Sequence, residues 1–106
     1  MPQAPFSAVP LVFGGRTFHV APDIDLVLEI EDELGGLPGL FERFKGNDWK
    51  ASEAISIIHM MLHHCGQKID WQELGKQLLS EGIGRYRKPV LDFLSLPVTG
   101  RVSAAA

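Results

Sequence analysis

Only one cysteine, Cys65, occurs in the 106 residues, so no disulfide can form within the chain, and a reducing, cytoplasmic setting fits best. No apolar run approaches the length of a membrane span. The N-terminus lacks a basic segment followed by a continuous apolar stretch, and Pro2, Pro5 and Pro10 interrupt any signal-like helix there. A soluble protein that remains in the cytoplasm where it is made is expected. There is no Lys/Arg-rich block either: ten basic against thirteen acidic side chains leave a formal charge of -3, whereas a phosphate-backbone partner needs a concentrated positive face. Nucleic acid and membrane are excluded as partners.

What is present is 45% apolar content and 22% charge, enough for one modest core. The stretch Asp48 to Gly66 organises it. On a 3.6-residue period Ala51, Ala54, Ile55, Ile58, Met61, Leu62 and Cys65 form one broad stripe, while Ser52, Glu53, Ser56, His63 and Gln67 fall opposite, toward water. This is the expected central helix.

Residues 1–9 combine prolines with small residues and read as a flexible arm. Leu11 to Phe13 and Arg16 to Val20 are short β-rich runs joined by Gly14-Gly15, the form of a hairpin. Asp23 can cap a helix in which Ile24, Leu26, Val27, Ile30 and Leu34 mark the apolar face, and Gly35-Gly36 ends it. A short helix, Leu37 to Lys45, follows, and its Leu40, Phe41 and Phe44 should dock on the central helix. Asp70 caps the next helix, with Glu73 placed to reach back and Ile69 to pack on Leu74; this helix stops at Gly82-Ile83-Gly84. Arg85 to Leu96 makes the last one, with Pro89 in or near its first turn, and Pro97 to Ala106 should fray. The fold class expected is mainly α (α+β), a small bundle of about five helices with an N-terminal two-stranded β-hairpin. Its domain occupies residues 10–100, between the arm at 1–9 and a flexible tail at 101–106.

Chemistry is sparse. His59 and His63 are spaced to meet one metal ion, but a zincin pattern needs glutamate directly after the first histidine, and Met60 stands there. His64 points about 100° away from His63. Cys65 is directed toward the core and lacks a facing base. Gly82-x-Gly84 with Arg85, Arg87 and Lys88 reads as a hinge and a solvated basic turn rather than a phosphate loop, and Glu29, Glu31, Asp32 and Glu33 as solubilising charges. No catalytic residue, metal ligand or cofactor site is assigned. Ile57 and Met60 lie off the central stripe, where a flexible apolar surface suits a helical partner unless a neighbouring helix covers them.

With these residues in view, the chain resembles a small phage-tail family. The features that carry the resemblance are the strand Arg16 to Val20, the helix Leu26 to Leu34 ending in Gly35-Gly36, Leu40-Phe41-x-x-Phe44 and Gly46-Asn47-Asp48-Trp49. It continues through Ala54-Ile55-x-x-Ile58, the break at Gly66 and a last helix ending near Pro97-Val98-Thr99-Gly100. The family is typified by the gene transfer agent protein encoded near the tape measure gene, described as a tail tube protein or a tail assembly chaperone. The resemblance implies a non-enzymatic protein of tail building in the bacterial host cytoplasm, monomeric or weakly self-associating. As a chaperone it would cover apolar helical segments of the tape measure protein, with Trp49, Ile57, Met60 and Trp71 as candidate contacts. The alternative is a structural virion component associated with the tail tube or a ring, and a more remote one is a small metal-binding enzyme built on His59 and His63. A tube subunit is expected to be mostly β-sheet, which favours the chaperone.

Overall fold

The computed structural model describes residues 8–101. It begins with a β-hairpin of β1 (Val9–Phe13) and β2 (Arg16–Val20), paired antiparallel from Val9 opposite Val20 to Phe13 opposite Arg16. The two-residue turn needs positive φ at both positions, and Gly14 at 61° and Gly15 at 76° supply it. Val9 and Leu11 of one strand and Phe18 and Val20 of the other all point inward, as the period of two requires. The ribbon thus has one apolar face, which lies on the helices. Val9 is only 1% exposed, so the core begins one residue earlier than the expected domain start, and residues 1–7 of the expected arm lie outside the described residues.

Among the described residues five helices follow: α1 (Ile24–Leu34), α2 (Leu37–Lys45), α3 (Ala51–His64), α4 (Trp71–Glu81) and α5 (Arg87–Thr99), with a 3-10 turn at Ile83–Tyr86 before the last. The chain is therefore mainly α with a small N-terminal β-hairpin, as its sequence indicates. Asp23 accepts from the Leu26 amide at 3.1 Å, and Asp70 accepts from the Gln72 and Glu73 amides at 3.1 and 3.2 Å. Both expected caps are in place. Glu73 itself turns toward Lys76, and the side chain that reaches back to an N-cap amide is Glu53, which accepts from Lys50 N–H at 3.1 Å.

The central helix α3 packs against α1, α4, α5, β2 and the 3-10 turn. Surrounded in this way, it buries more than one stripe. Glu53 and Ser56, expected to face water, are buried: Glu53 pairs with Arg43 on α2, and Ser56 accepts from the Trp71 indole N–H on α4 at 3.1 Å. Each polar group has a partner, which is what makes its burial tolerable.

The last helix also departs from expectation. It starts at Arg87 rather than Arg85, with Pro89 in its first turn, and runs through Pro97 to Thr99. A proline in the last turn costs only a bond near the end of the ladder. Side-chain bonds hold that turn: Thr99 Oγ1 donates to Ser95 O at 2.9 Å, the buried Ser95 hydroxyl donates to Arg101 O at 2.6 Å, and Gly100 takes the left-handed cap with φ of 82°. Residues 102–106 of the expected tail lie outside the described residues.

Gly75, buried on α4, faces α3 closely. A Cβ added there would sit 3.4 Å from Ile55 Cδ1, in ordinary contact. Gly75→Ala is expected to stabilise the fold by about 0.5–1 kcal/mol through helix propensity, whereas Gly75→Leu should destabilise it by overpacking. Urea denaturation of the two variants checks the opposite signs.

Candidate docking surface

The sequence-derived contact residues separate into surface and core. Ile57 is 0% and Met60 4% exposed: of the two alternatives for them the covered one holds, because the neighbours of α3 enclose them, and as candidate contacts at the surface they are corrected. Trp49 is half-buried and stacks on Phe44 with ring centroids 5.3 Å apart, anchoring the entry to α3 on α2. Trp71 is 39% exposed, its indole edge held by Ser56. Of the four, only Trp71 presents a large accessible area, and the structure does not gather them into one patch.

The histidines diverge into separate structural roles. His59 Nε2–H donates to the Ile69 carbonyl at 2.8 Å, tying the body of α3 to the segment before α4, and its ring stacks on His63. His64 Nε2 donates to Asp23 at 2.7 Å and so joins the end of α3 to the start of α1. The Leu26 amide, with His64 adding to it, holds the Asp23 carboxyl below its ordinary value. Among the described residues no group of three or more His, Cys, Asp or Glu side chains is placed to hold a metal ion. Cys65 is half-buried, and burial pushes its thiol up, which lowers the thiolate fraction a nucleophile needs.

The basic turn is likewise committed to the fold. Arg87 donates to the Lys45 carbonyl at 2.7 Å, satisfying the end of α2, and Lys88 pairs with Asp92 at 2.8 Å. Beside it, Pro10, Val12, Phe13, Glu81, Arg85 and Tyr86 line a groove between the hairpin tip and the start of α5. The Tyr86 hydroxyl donates to the Glu81 carboxylate. Burial, and then the Glu81 carboxylate, push Tyr86 up to about 12 from 10.0, because the phenolate is disfavoured on both counts. The folded chain thus holds this proton more tightly than the unfolded chain does. The stabilisation is fully present below pH 10 and is lost as pH rises toward 12, on the order of 2 kcal/mol. Comparison with Tyr86→Phe isolates it, since that variant should lack this part of the alkaline loss in urea denaturation.

The surface that sequence reasoning missed is on α1. Ile24, assigned to the apolar face, is 67% exposed, and Leu28 is 54% exposed, whereas Leu26 and Ile30 are fully buried. The signal was available in the helical wheel: Ile24 and Leu28 are i, i+4 neighbours lying roughly 100° or more from the centre of the Leu26, Ile30 and Leu34 stripe. Among the described residues, Val12 on β1 and Leu79 on α4 are the other large exposed aliphatic side chains.

No curated protein and no solved structure matches the chain. A family described as "Phage tail tube protein, GTA-gp10" matches residues 7–100, from just before the hairpin through the end of α5. With the match covering nearly the whole chain, the protein belongs to the phage tail tube protein (GTA-gp10) family.

Proposed function

We propose that the protein is a non-enzymatic, structural participant in phage or gene-transfer-agent tails, packing against the tail tube or a tail ring through its surface side chains. The observation that carries this reading is the family match over residues 7–100, which takes in every helix and both strands rather than one motif. Its partners are other tail proteins, and its work begins in the cytoplasm of the bacterial host.

A second reading is favoured by one observation. Among the described residues the only sheet is a two-stranded ribbon, little with which to build a tube wall, and the bulk of the chain is helical. That suits a tail assembly chaperone that covers apolar helical segments of the tape measure protein and then leaves. Its contacts would use exposed side chains such as Trp71 and Leu79 rather than Ile57 and Met60, whose substitution acts through the core.

Purified, tape-measure-containing tails decide between the two. Quantitative mass spectrometry should find this chain in fixed stoichiometry with the tube protein if it is structural. Absence from finished tails, together with co-elution with the tape measure protein when the two are co-expressed, would establish the chaperone instead.

A further inference from the structure

We propose that the outward face of α1 is a docking site for a cationic amphipathic helix of a partner protein. This goes beyond the choice between tail component and chaperone and rests on neither.

Two exposed aliphatic side chains, Ile24 and Leu28, sit one turn apart on this helix. Beside Leu28, the carboxylates of Asp25, Glu29, Glu31 and Asp32 line a shallow depression. From residue 17 to residue 42 the sequence contains no lysine or arginine, so α1 holds no cation of its own. Among the described residues, Asp25, Glu29 and Asp32 enter no ion pair. The face is therefore apolar at its edge and of one sign beside it.

Asp25 lies in the first turn of α1, where the helix dipole favours a carboxylate, but the charges at the other end are not explained by the fold in that way. The last turn of a helix favours cations, because its free carbonyls carry partial negative charge, yet α1 ends with Glu31, Asp32 and Glu33 and has no basic residue there. Glu31 has a structural explanation, since it accepts from the Leu37 amide at 2.9 Å and so caps α2. Asp32 has none and is exposed. A charge that breaks a local rule of helix stability without a compensating gain in the fold is what a cationic partner would compensate.

The complementary partner is a helix with aliphatic residues along one stripe and Lys or Arg beside it. The 11 residues of α1 make roughly 16 Å of axis, enough for about three turns of such a helix to lie alongside. An anionic lipid surface or a nucleic acid would meet like charge here. A second copy docked through the same face about a two-fold axis would oppose carboxylate to carboxylate.

The test is a titration of the isotope-labelled full chain with a short Leu/Lys peptide whose leucines follow helical spacing, monitored by amide NMR shifts. A scrambled peptide of the same composition serves as control. Saturable shifts centred on residues 24–33 are expected, with affinity falling at least about tenfold in Leu28→Ser and in Glu29→Lys/Asp32→Lys, and falling with added salt. The lysine variant should keep or raise the Tm, since it replaces carboxylates with cations that the end of α1 prefers; this separates lost docking from lost folding. Equal binding of the scrambled peptide, shifts centred on another face, or self-association through α1 in sedimentation would each overturn the proposal. Whether the chain stays in finished tails has no bearing on the titration, so the two readings fail separately.

Discussion

Phe44→Ala is expected to destabilise the protein by about 3–5 kcal/mol, the range for emptying a phenylalanine site in a packed core. Phe44 is fully buried near the end of α2, the helix that packs on α5, and it carries the stacked Trp49 ring at the mouth of α3. One truncation therefore loosens three elements. A domain of this size has about 5–15 kcal/mol in hand, so the variant should lie close to the unfolding threshold at 37 °C. Urea denaturation monitored by tryptophan fluorescence measures it. The same truncation at Leu28, 54% exposed on α1, should change stability by no more than about 0.5 kcal/mol, and a comparable loss there would contradict the core described here.

The second large effect concerns a buried charge. The Glu53 carboxylate, 8% exposed on α3, takes one bond from the Lys50 amide and one from the Arg43 guanidinium on α2. Arg43→Ala leaves it desolvated with only the amide, and a loss of about 3 kcal/mol is expected, at the lower end for a broken buried pair because Arg43 is itself partly exposed. The double variant Arg43→Leu/Glu53→Leu should recover most of that loss, since well-packed aliphatic residues often replace an ion pair without penalty. If the single and double variants are equally unstable in urea, the pair is not what holds α2 against α3.

These two sites differ in how far the sequence announces them. Phe44 lies on an apolar face together with Leu40 and Phe41, and its burial follows from the period of the short helix. Glu53 lies on the polar side of the central stripe and reads as solvated, as does Ser56. Both become interior because α2 and α4 approach from that side, each bringing one matching polar group. Ile57 and Met60 are covered for the same reason, so residues that suggest a binding surface in sequence belong to the core. Ile24 and Leu28 show the reverse, being apolar and left uncovered.

By itself the sequence determined the punctuation of this protein. Gly14-Gly15 dictates the hairpin turn, Asp23 and Asp70 open helices, and Gly35, Gly66 and Gly82 follow their ends, because each interaction involves residues only a few positions apart. It also gave, through spaced apolar positions along the whole chain, the resemblance that the family match bears out at the level of a tail protein. Only the tertiary structure decided which faces are covered: that α3 is enclosed on nearly every side, that Glu53 and Ser56 are interior, that α5 continues through Pro97, and that α1 turns two aliphatic side chains and most of its carboxylates outward. Burial depends on which distant elements pack against a given face, and a helical period records that a face is apolar without recording what comes to cover it.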